Sequence, residues 1–118
     1  MGQAGPYFRR TESGLSHWCP GCGEMHNIPS SWTFNGDLNR PTFSPSVKIT
    51  GKQTVKDARG EWTGEWVRGP DGKAIDDCCH YILTDGMLNF CGDSVHALKG
   101  QRVPLPELPE WLRDDQLR

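Results

Sequence analysis

CCHYILTDGMLNFCGD, residues 78–93, decides the fold class. Two runs of strand-forming residues, 79–84 and 87–91, flank Asp85-Gly86. This pair is a preferred two-residue type I′ connection between antiparallel strands, because the residues tolerate the positive φ that such a turn requires. The stretch therefore predicts a tight β-hairpin.

The segments around it carry the same signature. PTFSPSVKIT, residues 41–50, alternates Phe43, Val47 and Ile49 with polar positions, but Pro45 removes a ladder donor and breaks the strand. Residues 51–73 are rich in turn formers and charge, with Trp62 and Trp66 as the large apolar groups, and predict an inserted loop or long hairpin. Upstream, LSHW and EMHNI flank CPGCG, and SWTFNG adds a run that ends in an Asn-Gly turn signal. Downstream, 94–106 contains a turn, a stop at Gly100 and a last short strand. In the tail, 107–118, Pro109 stands at a plausible first helical position with Trp111, Leu112 and Leu117 on one face, compatible with a short C-terminal helix. Residues 1–14 show no periodicity and predict a loose arm. The expected fold is mainly β, with at most a small α part. One domain at 15–106 is built from short antiparallel strands and hairpins around a zinc-ribbon-like knuckle.

Composition agrees with such a fold. A chain of 118 residues with 35% apolar residues, 14 glycines and 9 prolines favours many turns and a small core that a metal staple would help. A net charge of −2 argues against coating nucleic acid through bulk electrostatics. No apolar run approaches the roughly 20 residues that span a bilayer, and the first residues lack the apolar stretch of a secretion signal, so the expected location is cytoplasmic. Five cysteines, an odd number, favour free thiols or thiolate ligands over a disulfide framework.

The chemistry concentrates in two windows. Every Cys and His lies either in 17–26 (His17, Cys19, Cys22, His26) or in 78–96 (Cys78, Cys79, His80, Cys91, His96). This clustering is expected if the windows meet around one ion, since tetrahedral zinc needs four N or S donors within about 2.0–2.3 Å. Cys-Pro-Gly-Cys-Gly lets both thiolates face inward, while its glycines free the backbone to turn around them. A thiol–disulfide role would need the motif to open a helix, and no helical run follows Gly23. The preferred ligand set is Cys19, Cys22, His80 and His96, with Cys79 and His26 as substitutes. Cys79 and His80 are neighbours on a strand and point to opposite faces, so one of them at most joins the ion. Asp93, three residues before His96, either orients that imidazole or caps the following turn. Cys78 and Cys91 read as small apolar groups.

The ordered motifs CPGCGEMH, WTFNGD, PTFSPSV, CHYILTDG and GDSVHALKGQRVPLP resemble a small family of unknown function found in phages and prophages, many of whose members are labelled ammonia monooxygenase. The pattern includes the positions of Cys19, Cys22, His26, Trp32, Asn35, Pro41, Ser44, Pro45, Cys79, His80, Asp93 and His96. The enzyme label conflicts with the chain, because ammonia monooxygenase is a membrane copper enzyme. The resemblance implies a zinc site, a phage or prophage origin and action inside a bacterial host cell.

Three functions compete. A compact protein with a structural zinc that binds a host or phage protein ranks first, with the exposed tryptophans and the proline-rich end as contacts and no catalytic residue assigned. A zinc hydrolase is the alternative, with Asp93 or Glu24 acting on a metal-bound water, although no His-Glu-x-x-His motif occurs. A nucleic-acid module is the third, using Lys52 and Lys56 followed by Trp62 and Trp66 to track a backbone and stack bases.

Overall fold

The structure, a computed structural model, describes residues 2–114. The expected β architecture is observed. Strands β1 (Gln3–Ala4), β2 (Phe8–Arg10), β3 (Gly14–Cys19) and β4 (Glu24–Pro29) form one antiparallel sheet in sequential order. Strands β5 (Thr33–Phe34) and β6 (Phe43–Ser44) form a two-stranded ribbon. Strand β7 (Val47–Lys52) follows the break at Pro45, and β8 (Thr54–Lys56) with β9 (Trp62–Trp66) makes the hairpin within the inserted segment. Strands β10 (Asp76–Thr84), β11 (Met87–Phe90) and β12 (Arg102–Pro104) complete a second four-stranded antiparallel sheet in the order β12-β11-β10-β7.

The quoted hairpin is β10–β11. Leu83 pairs with Leu88 and Thr84 with Met87 across Asp85 (φ 55°) and Gly86 (φ 76°), so both turn residues adopt the left-handed conformation that a type I′ connection demands. On β10 the alternation is strict where the sheet covers the core. Cys79, Tyr81 and Leu83 are buried, whereas Ile82 is exposed and His80 is half-buried. The antiparallel pairing with β7 sets His80 opposite Lys48 and Cys79 opposite Ile49.

The core joins the two main sheets through Phe8, Ile28, Phe43, Tyr81, Leu83, Leu88 and Phe90. Each large side chain removed from water contributes about 1.5–3 kcal/mol before entropy is counted. The N-terminal segment departs from expectation. Instead of a loose arm, it supplies β1 and β2, with Ala4 and Phe8 fully enclosed. Its polar composition hid this, because two short strands bury only alternate residues. The tail departs as well: Leu105 and Leu108 are buried, and the Leu108 N–H donates to Pro6 O at 3.1 Å, so this stretch packs on its own domain. A single 3₁₀ turn, Glu110–Leu112, stands where a short helix was expected, and Trp111 meets Trp18 edge-on; Leu117 lies outside the described residues.

Candidate functional site

The tight turn between β3 and β4 presents Cys19 and Cys22. Gly23 (φ 67°) closes it by donating its N–H to Cys19 O at 2.9 Å. One ligand atom each from Cys19, Cys22, His26 and Cys79 lies within 4.8 Å of the others, a cluster able to hold a metal ion. Cys19 and Cys79 are buried with their sulfurs 3.8 Å apart. Hydrogen bonds from Cys22 and Cys79 push the Cys19 thiol well down, while the hydrogen bond shared with Cys19 pushes Cys22 and Cys79 up. Three sulfurs this close cannot all ionise unaided, and a divalent cation reverses that penalty. His26 is buried, and both of its ring nitrogens lack a hydrogen-bond partner. Its Nε2 faces Glu24 Oε2 at 3.4 Å, close enough for attraction without hydrogen-bond geometry. An imidazole so orphaned costs free energy unless a ligand takes a lone pair.

This cluster differs from the preferred set by both histidines: the substitutes Cys79 and His26 stand in it, and His80 and His96 do not. His96 stands one step outside: its Nε2 is 3.4 Å from Cys79 Sγ, and its Nδ1 accepts the Leu98 N–H at 3.2 Å. A neutral ring that accepts at Nδ1 carries its proton on Nε2, so His96 donates to the Cys79 sulfur from outside the cluster of four. Gly21 makes room for this ring, since a Cβ there would overlap it. His17 is fully buried and holds no ligand position: its Nδ1 faces Trp18 O at 3.1 Å, and its Nε2 accepts the Tyr81 hydroxyl at 2.5 Å. Burial pushes the His17 imidazole down to about 4.

His80 points to the other side of β10, away from Cys19, Cys22 and Cys79 and beside Cys91 and Asp93, a second trio whose ligand atoms lie within 4.8 Å of one another. Its Nδ1 lies 3.0 Å from Asp93 Oδ1 and 3.1 Å from Oδ2, and its Nε2 lies 3.1 Å from Ser46 Oγ. The arrangement fits one tautomer: Nδ1–H donates to the carboxylate, and Nε2 accepts the serine O–H. Asp93 therefore orients His80 and not His96, and it also meets Lys48 Nζ at 3.3 Å. Partial desolvation pushes the Asp93 carboxyl up, but hydrogen bonds from His80 and Lys48 outweigh it and hold the group below the usual carboxylate range. A hydroxyl, an imidazole and a carboxylate linked in this order have the connectivity that acyl-transfer enzymes use for nucleophile, base and orienter.

Sequence reasoning missed Ser46. It lies just before β7, two residues ahead of Lys48, which pairs with His80, and its hydroxyl reaches His80 Nε2 from that position. No local motif marks it, because a triad is defined by geometry across separate segments. The remaining candidates are dispersed. Lys52 pairs with Asp76 and Lys56 with Glu24, so both cations are already engaged. Trp62 and Trp66 lean on each other with ring centroids 4.9 Å apart and remain about half exposed. An apolar cleft of about 440 Å³ among Leu15, Ile28, Trp32, Phe34 and Phe43 includes no residue of either cluster. Among the described residues no helix is long and apolar enough to cross a membrane.

No curated protein and no solved structure matches the chain. One family model does match, over residues 3–91, roughly three quarters of the sequence. The match takes in both cysteines of the knuckle, Ser46, Cys79 and His80, and ends two residues before Asp93. The chain belongs to this family, described as "Bacterial ubiquitination-like system serine protease (BubE)".

Proposed function

We propose that the protein is a serine hydrolase acting on a carbonyl of a protein substrate, with Ser46 as nucleophile, His80 as general base and acid, and Asp93 as the group that orients His80. The carrying observation is the continuous linkage from Ser46 Oγ to His80 Nε2 (3.1 Å) and from His80 Nδ1 to Asp93 (3.0 Å). Ser46 Oγ attacks the carbonyl carbon while its proton passes to His80 Nε2. The resulting imidazolium is stabilised by the Asp93 carboxylate. His80 then gives that proton to the departing amine, leaving an ester on Ser46. Water, deprotonated by the same nitrogen, releases the acid and restores the serine. The family description supports a serine protease and a substrate drawn from a ubiquitination-like system, which makes a peptide or isopeptide carbonyl of a protein partner the bond in question.

The metal is zinc in this reading, bound by Cys19, Cys22, Cys79 and His26, because thiolate and imidazole donors in a closed set of four suit a structural zinc site. It holds the knuckle against β10 and takes no part in bond breaking. This reading departs from all three roles weighed from sequence alone, a protein-binding zinc protein, a zinc hydrolase and a nucleic-acid module.

The test is covalent labelling with a fluorophosphonate, which reacts with an activated serine. Expected is one adduct per chain, mapped to Ser46 and absent from Ser46→Ala, with about one zinc per chain in both proteins. A folded, zinc-loaded wild type that takes no label would overturn the reading.

A further inference from the structure

The carboxylate of the relay sits where a loop gives it little support. Asp93 lies in the turn after β11, its side chain is 47% exposed, and its partners are His80 and Lys48. Three ties hold this loop to β10. The Cys91 N–H donates to His80 O at 2.8 Å, and the Val95 N–H donates to Cys78 O at 3.0 Å. The third comes from Ser94, which is 3% exposed: its Oγ accepts the His80 N–H at 3.0 Å and donates to His80 O at 3.0 Å. A side chain here does what a neighbouring strand would do, engaging both backbone groups of the base from the residue next to the carboxylate. Ser94 is the side-chain member of the three ties, so its removal alters the loop while the backbone pairings remain.

We propose that Ser94 is a positioning residue that fixes Asp93 against His80, an inference that rests on the hydrolase reading above. Triads lose rate steeply when the base is misplaced, about 100-fold for a displacement on the order of 1 Å. The imidazole keeps its productive tautomer only while the carboxylate stays on Nδ1.

The experiment is a double-mutant cycle on the rate of fluorophosphonate labelling at Ser46, with zinc content and melting temperature recorded for each protein. Ser94→Ala is expected to slow labelling about 10- to 100-fold with zinc retained. In the Asp93→Ala background the same substitution is expected to change the rate by less than about twofold, because the group that it positions is gone. Wild-type rates in Ser94→Ala would overturn the role, as would an equal loss in both backgrounds, the mark of a general structural effect. If Ser94→Ala does not fold, Ser94→Thr carries the test. It keeps the hydroxyl and should label within about threefold of wild type, whereas a folded, zinc-loaded Ser94→Thr without labelling would sink the idea. An unlabelled wild type would instead bring down the hydrolase reading itself.

Discussion

Cys79 and His80 are consecutive residues on one strand with opposite surroundings. Cys79 is buried and faces Cys19 and the knuckle, whereas His80 is half-buried and faces Ser46 and Asp93. The pleat of β10 separates a closed, crowded thiol cluster from an open, hydrogen-bonded relay one residue away. The loop after β11 repeats the division, since Asp93 serves the open side while His96 donates to the Cys79 sulfur on the closed side. The difference teaches that a cluster able to hold a metal and a serine–histidine–carboxylate linkage can share one strand without sharing atoms. The first sets where β10 lies, and the second uses the face that this leaves outward.

The comparison breaks most visibly if the two sides are removed separately. Ser46→Ala or His80→Ala should lower hydrolysis of a peptide or ester substrate by at least about 10⁴-fold while zinc content and melting temperature stay near wild type. Loss of zinc from His80→Ala would mean that the sides are not separate. Removing the closed side should be next in size. Cys79→Ser, or exhaustive chelation, should lower the melting temperature by roughly 10 °C or more, since structural zinc contributes several kcal/mol or more to folding. Activity should fall with it, because β10 carries His80; a chelated protein that melts and labels like the holoprotein would refute this dependence.

Smaller effects sharpen the boundary. His96→Ala should weaken zinc binding about 10- to 100-fold in a competition titration, as expected for a donor to a ligand sulfur, whereas His26→Ala should abolish tight binding. The reverse order would exchange the two histidines between their places. Substituting Trp62 or Trp66, which lie in the hairpin beyond both clusters, should shift stability by no more than about 0.5 kcal/mol and leave labelling unchanged, checked by thermal melts beside the labelling assay.

Much of the fold was legible because the decisive signals were local. Asp85-Gly86 carries its own turn geometry, Pro45 its own strand break, and the alternation of Cys79, Tyr81 and Leu83 its own inward face. The first strands were not legible, since β1 and β2 are two and three residues long and Phe8 is the one aromatic anchor that they bury. Of the metal cluster, the pair Cys19 and Cys22 could be read from spacing, and the rule that Cys79 and His80 face apart could be read from the pleat. The choice between them could not, because it depends on which face of β10 meets β3, a long-range contact. His80 and His96 stood in the preferred set whereas His26 and Cys79 complete the cluster of four, and the ring partners of His80 and His96 lie 34 and 17 residues away, which sequence does not reveal. Ser46 was invisible because an isolated serine in the link between β6 and β7 gains meaning only when β7 pairs with β10.

The most direct measurement of the separation is native mass spectrometry of fluorophosphonate-treated wild type, His80→Ala and His26→Ala, which reads bound metal and covalent adduct on the same molecule. Zinc with one adduct is expected on wild type, zinc without adduct on His80→Ala, and loss of tightly bound zinc from His26→Ala. An adduct on His80→Ala at the wild-type rate, or a His80→Ala protein that has lost its zinc while His26→Ala keeps it, would contradict the assignment of the two faces of β10.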